Sequence, residues 1–147
     1  MRTMGVFLLM ISAFMTVFTD RRQASEMICS LDSFSAAFRQ LARELRATGA
    51  PMRRLLRQLP EGPASRYLSQ GQKEGVEALG AEQRSLVEQT CGLLGRFDVE
   101  TQAIALIRAA EQLERERETA VAAFPAQLRA RRAMVLSGAA VVAILLL

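Results

Sequence analysis

The 147-residue chain contains no histidine and no tryptophan, and Tyr67 is its only tyrosine. Without histidine there is no Ser-His-Asp or Cys-His catalysis and no His-ligated metal site. With so few large aromatics, a base-stacking platform is poorly supplied. Cysteine is scarce too. Cys29 and Cys91 fit no C-x-x-C spacing, so they read as two reduced thiols packed in helices. No G-x-x-x-x-G-K-[ST] sequence occurs, which excludes a Walker-type phosphate loop. No nucleophile–base or acid–base set stands out, so no catalytic residue is assigned. Neither a cofactor nor a metal is implied. Lysine is nearly absent: Lys73 stands against 18 arginines, a bias read as base composition rather than function. The net charge of +4 is mild and suits a protein near anionic lipid.

What the chain does have is two apolar ends. The run from Thr3 to Thr19 carries no charge over seventeen residues, which meets the lower limit of roughly 17 for a membrane-crossing helix. No A-x-A-like cleavage site follows it, since the next residues are Asp20-Arg21-Arg22. It is therefore expected to be a retained anchor rather than a cleaved signal. The run from Ala133 to Leu147 is also uncharged. As a helix it reaches about 22 Å, short of a full span. Bilayer thinning or snorkelling arginines can close that gap. Arg21 and Arg22 follow the first run, and Arg129, Arg131 and Arg132 precede the second. The positive-inside rule then places residues 20–132 in the cytoplasm and both chain ends outside.

The middle reads as helices. Met27, Leu31, Phe34, Phe38, Leu41 and Leu45 step by 4, 3, 4, 3, 4, a heptad seam. It is predicted to stop at Thr48-Gly49-Ala50-Pro51, where Gly caps and Pro cannot continue the ladder. A short helix over 52–59 is predicted to bury Leu55, Leu56 and Leu59, and Pro60-Glu61-Gly62-Pro63 to break it. Pro63 suits the first turn of a third helix carrying Tyr67 and Leu68. Gly71, Gly75 and Gly80 predict a broken stretch over 70–81. A fourth helix over 82–94 is predicted to bury Leu86, Val87, Leu93 and Leu94. Gly92 to Asp98 then forms a tight turn, with Gly92 and Gly95 ending one helix and Asp98 capping the next. Glu100 suits the positive end of that helix. A second seam, Val99, Ala103, Leu106, Ala110 and Leu113, follows, widened by Ile104 and Ile107. Pro125 is predicted to kink this last helix. Two seam-bearing helices joined to apolar ends predict an all-α fold. It is a membrane-anchored antiparallel helical bundle with terminal transmembrane helices over 3–19 and 133–147.

Five segments carry a family likeness: LARELRATGAPM (41–52), LLRQLPEGPASRYL (55–68), LLGRFDVETQ (93–102), LIRAAEQLERERE (106–118) and the arginine-flanked apolar tail. In this order and spacing the chain resembles the stage III sporulation protein AB family of bacterial membrane proteins. Two features depart from that pattern. The 48–51 turn is one residue longer than the family's usual Thr-Pro, and Pro125 falls where the family runs on as helix. The resemblance implies a soluble region similar to the cytoplasmic helical domain of the type II secretion platform protein. It also implies work in the mother cell, in a multi-protein channel complex of the cell membrane, with a secretion-type ATPase as partner. The family has no catalytic residues to carry over.

Two functional readings follow. One is a non-enzymatic platform whose docking surface would be Arg39, Arg43, Arg46, Arg53, Arg54 and Arg57, six arginines within nineteen residues opposed only by Glu44; the same cluster also reads as a solvated face of an arginine-rich chain. Clustered charge of one sign steers association. The other is an anchored coiled coil that self-associates through an exposed seam, or binds an anionic lipid surface. Nucleic acid is set aside, because no reading motif accompanies the charge.

Overall fold

A computed structural model of the protein describes the backbone of residues 2–146. It describes side chains over 18–126 together with Ile11, Ser12, Met15, Arg129 and Ala133. Six α-helices follow in order: α1 (Arg2–Thr48), α2 (Met52–Arg57), α3 (Pro63–Gln70), α4 (Glu74–Glu77), α5 (Ala81–Leu93) and α6 (Val99–Leu146). Among the described residues there is no strand, so the fold is all-α.

The chain divides into two compact units, residues 26–119 and residues 1–25 with 120–147. In the second, the backbone is helical throughout its described part, as the opening of α1 and the close of α6. Most side chains of the predicted transmembrane runs 3–19 and 133–147 lie outside the described residues. Among those described, no helix is long and apolar enough to cross a membrane. Pro125 lies inside α6 and does not end it.

Residues 26–119 are built on the two seams. Leu31, Phe34, Phe38 and Leu41 of α1 are essentially solvent-free, as are Ala103, Leu106, Ala110 and Leu113 of α6. Burying each Leu or Phe contributes roughly 1.5–3 kcal/mol. Three polar contacts give the helix direction. Asp32 faces Arg117 at 3.5 Å, the Ser35 hydroxyl donates to Glu114 Oε2 at 3.1 Å, and Arg46 Nη2 donates to Glu100 Oε1 at 2.6 Å. As α1 is climbed, its partners descend α6, so the two helices are antiparallel. The end near Glu26 and Thr119, where α1 comes in and α6 goes out, is here called the neck. The end near Thr48 and Val99 is the crown.

The shorter helices complete the core. Leu55 and Leu59, Val76 and Leu79, and Val87 of α5 are buried in it. α2 ends at Arg57, two residues before the predicted limit, yet Leu59 remains inside. α3 is pinned to α1 twice. The Ser33 hydroxyl accepts the Ala64 amide at 3.2 Å, supplying one of the caps that a helix N-terminus needs. Tyr67 also packs edge-on to Phe34 at 5.8 Å, and Phe34 meets Phe38 at 6.1 Å, in the T-shaped geometry that aromatic pairs favour. The stretch 70–81 is broken as predicted, but α4 gives it one ordered turn. Gly75 explains how: a Cβ there would lie 2.7 Å from Pro63 Cβ, so only glycine lets α4 approach α3 this closely.

Four expectations need correction. Val99, the first residue of the second seam, is 40% exposed because it opens α6 at the crown. Leu93 is 38% exposed because it ends α5 at the crown, beyond the core. Ile104 is also 38% exposed, so the buried stripe of α6 is narrower than its apolar residues suggest. Cys29 is exposed rather than packed, because it sits on the face of α1 that lines a cavity.

Candidate docking surface

The crown begins with the α5–α6 turn. Gly92 falls in the last turn of α5, with open space where a Cβ would point. Gly95 follows with φ +79, a left-handed conformation that favours glycine. Asp98 is the cap: its Oδ2 accepts the Thr101 amide at 3.1 Å, and its Oδ1 accepts the Thr101 hydroxyl at 2.6 Å. These hydrogen bonds, the hydroxyl's first, hold the Asp98 carboxyl below its ordinary range.

The residue that sequence reasoning missed is Gln102. It is buried, its Oε1 accepts the Gly95 amide at 3.0 Å, and its amide donates to the Phe97 carbonyl. One side chain thus clamps the turn at two points. The available signal was a glutamine one place before the buried Ala103, seven residues after a glycine.

Of the six predicted docking arginines, Arg46 meets α6 just after this turn, at Glu100, whereas Arg39 lies further down α1, within electrostatic reach of Glu114. Arg39, Arg43 and Arg46 are spaced 4 and 3, so they share one stripe of α1, beside the buried seam. Arg53, Arg54 and Arg57 come from α2, which starts four residues after α1 ends. All six are exposed. Arg46 is paired with Glu100, both partly in water, a contact worth under about 1 kcal/mol. Arg43, Arg53, Arg54 and Arg57 have no ion pair among the described residues. The structure therefore brings the end of α1, with Arg46, to the start of α6 beside the Gly95–Asp98 turn, and α2 with its three arginines begins four residues after α1 ends.

The neck is organised differently. Arg117 donates to Glu114 at 2.6 Å, and the buried Ser35 and exposed Asp32 complete the group. The hydrogen bond from Arg117, aided by that from Ser35, holds the Glu114 carboxyl below its ordinary range. Gln83 donates to Glu116 at 3.1 Å, tying α5 to α6. A cavity of about 410 Å³ opens between α1, α3 and α4, lined in part by Cys29, Ser30, Arg66 and Glu74. Burial, aided by Glu88, pushes the Cys91 thiol up to about 11, which keeps it protonated and a poor nucleophile. Among the described residues, no three His, Cys, Asp or Glu side chains are grouped to hold a metal ion.

Compared with known protein families, with curated proteins and with solved structures, the chain finds no match.

Proposed function

We propose that the chain is a non-enzymatic membrane platform. In this reading it is an adaptor of a sporulation secretion-like channel complex in the bacterial cell membrane. Residues 3–19 and 133–147 anchor it, and the bundle faces the cytoplasm, docking a secretion-type ATPase and other membrane components. One observation carries the docking role. Leu31 to Leu45 of one seam and Ala103 to Leu113 of the other are already buried within one chain, while Arg43, Arg53, Arg54 and Arg57 have no ion pair among the described residues. A folded domain with a satisfied core and an unsatisfied charged end is built to bind. The same observation disfavours the coiled-coil regulator, whose seam would have to be open for a second copy.

The sequence supports the anchors: two uncharged runs flanked by arginine. The helical backbone through both supports them further, because a helix satisfies its own amides in lipid. Labelling with a membrane-impermeant thiol reagent tests placement directly, since Cys29 is exposed. In intact cells Cys29 is expected to stay unmodified, and to react once the cells are permeabilised. Modification in intact cells would place the bundle outside. Release of the full chain from membranes by alkaline carbonate would remove the anchors.

A further inference from the structure

Arginine attracts lipid phosphate and protein carboxylate alike, and the distribution of charge and apolar surface over residues 26–119 bears on which it meets. α1 enters these residues at Glu26 and α6 leaves them at Thr119, while Arg43 and Arg46 lie near the other end of that part of α1. The neck itself presents exposed carboxylates, Glu74, Glu77, Glu82 and Glu118, offset in part by Arg66, Lys73 and Arg115. The bundle is thus charged along its axis, acidic at the neck and basic at the crown.

A second pattern coincides with this one. Among the described side chains of residues 26–119, every exposed large apolar residue lies between positions 93 and 104: Leu93, Phe97, Val99 and Ile104. Phe97 is the most open, at 52%. Arginine and aromatic residues together mark protein interfaces, whereas a headgroup surface recognised by charge alone needs no such apolar group.

We infer that the crown docks the acidic surface of a protein in the aqueous phase, with Phe97 as its apolar anchor, and does not rest on anionic lipid. This rests on the platform reading above. The occupant is an acidic surface with an apolar recess, because this part of the bundle offers exposed guanidinium groups without an ion pair among the described residues and, on the α5–α6 turn, an exposed ring.

The test uses the full chain in lipid nanodiscs, of phosphatidylcholine alone or with phosphatidylglycerol. The probe is a purified secretion-type ATPase from the same organism. Binding is measured for the native chain, for R53E/R54E/R57E, for F97S, and for E74K/E77K at the neck, after circular dichroism shows each to be folded. The expected result is a Kd raised at least about tenfold by each crown variant, unchanged by the neck variant, and equal in the two lipid mixtures. Tight binding that the crown variants leave intact would overturn the inference, yet leave the platform reading standing with another docking face. Native binding weakened by phosphatidylglycerol and restored by R53E/R54E/R57E would assign the arginines to lipid, and also overturn it. Absence of any binding to the native chain would overturn the inference and the ATPase partnership together.

Discussion

The neck and the crown of residues 26–119 are made from the same two helices, yet they use charge in opposite ways. At the neck, Asp32, Ser35, Glu114 and Arg117 satisfy one another across α1 and α6. At the crown, one pair, Arg46 with Glu100, joins the same helices, and the neighbouring arginines face water. The apolar surface follows the same division, closed over the seams and open at Leu93, Phe97 and Val99. The difference separates holding from binding. Groups that hold the fold find partners inside it, and the crown arginines without such partners are those proposed above to dock another molecule.

Mutations can break that division or sharpen it. The largest effect belongs to neither end. Phe38→Ala removes a ring fully buried between them and is expected to cost about 3–5 kcal/mol, read by urea denaturation of the full chain in neutral detergent. Next comes Gly75→Val on the neck side. The added branch would press on Pro63, so the expected result is a lowered melting temperature with faster amide exchange in α3 and α4 than elsewhere. A melting curve like the native one would mean that α4 is not held as the structure shows.

Smaller effects come from the carboxylates. Glu114 and Asp98 both have pKa values lowered in the folded protein. Their contribution is therefore present above the ordinary carboxylate range and is lost as pH falls through the lowered folded values. Glu114→Gln should flatten the fall in melting temperature between about pH 5 and pH 2. Asp98→Ala should do so too, and should lower the neutral-pH melting point by a few degrees through the lost cap. An acid limb unchanged in both variants would contradict these assignments. The smallest effect on stability should be that of R53E/R54E/R57E, within about 0.5 kcal/mol of native, since these side chains contact no carboxylate. A large loss of stability there would erase the proposed contrast between the ends.

Much of this fold is legible in the residues. The seam from Leu31 to Leu45 and that from Ala103 to Leu113 are periodic, and periodicity reports burial directly. Gly49, Pro51, Pro63 and Asp98 mark helix limits because their effects are local, set by φ, a missing amide or a cap. What could not be read is tertiary. Gly75 looks like a helix breaker and is a point of close approach to Pro63. Leu93 and Ile104 look like core; Leu93 is exposed because it ends α5 at the crown, and Ile104 because it lies off the buried stripe of α6. Of the candidate site, the arginines and the capping aspartate were visible as a cluster and a cap. That Arg46 shares an end with Phe97 depends on the antiparallel register, which no local pattern contains. Gln102 was hidden for the same reason, since its partners become neighbours only after the chain turns.

The Gln102 clamp bears on how fast a complex at the crown would come apart. With the Gly95 amide and the Phe97 carbonyl both tied to one buried side chain, the loop is preorganised, and little conformational entropy remains to be lost on association. Gln102→Ala would keep every arginine and the phenyl ring, yet shorten the residence time of a bound partner, because an unclamped loop must be ordered anew at each encounter.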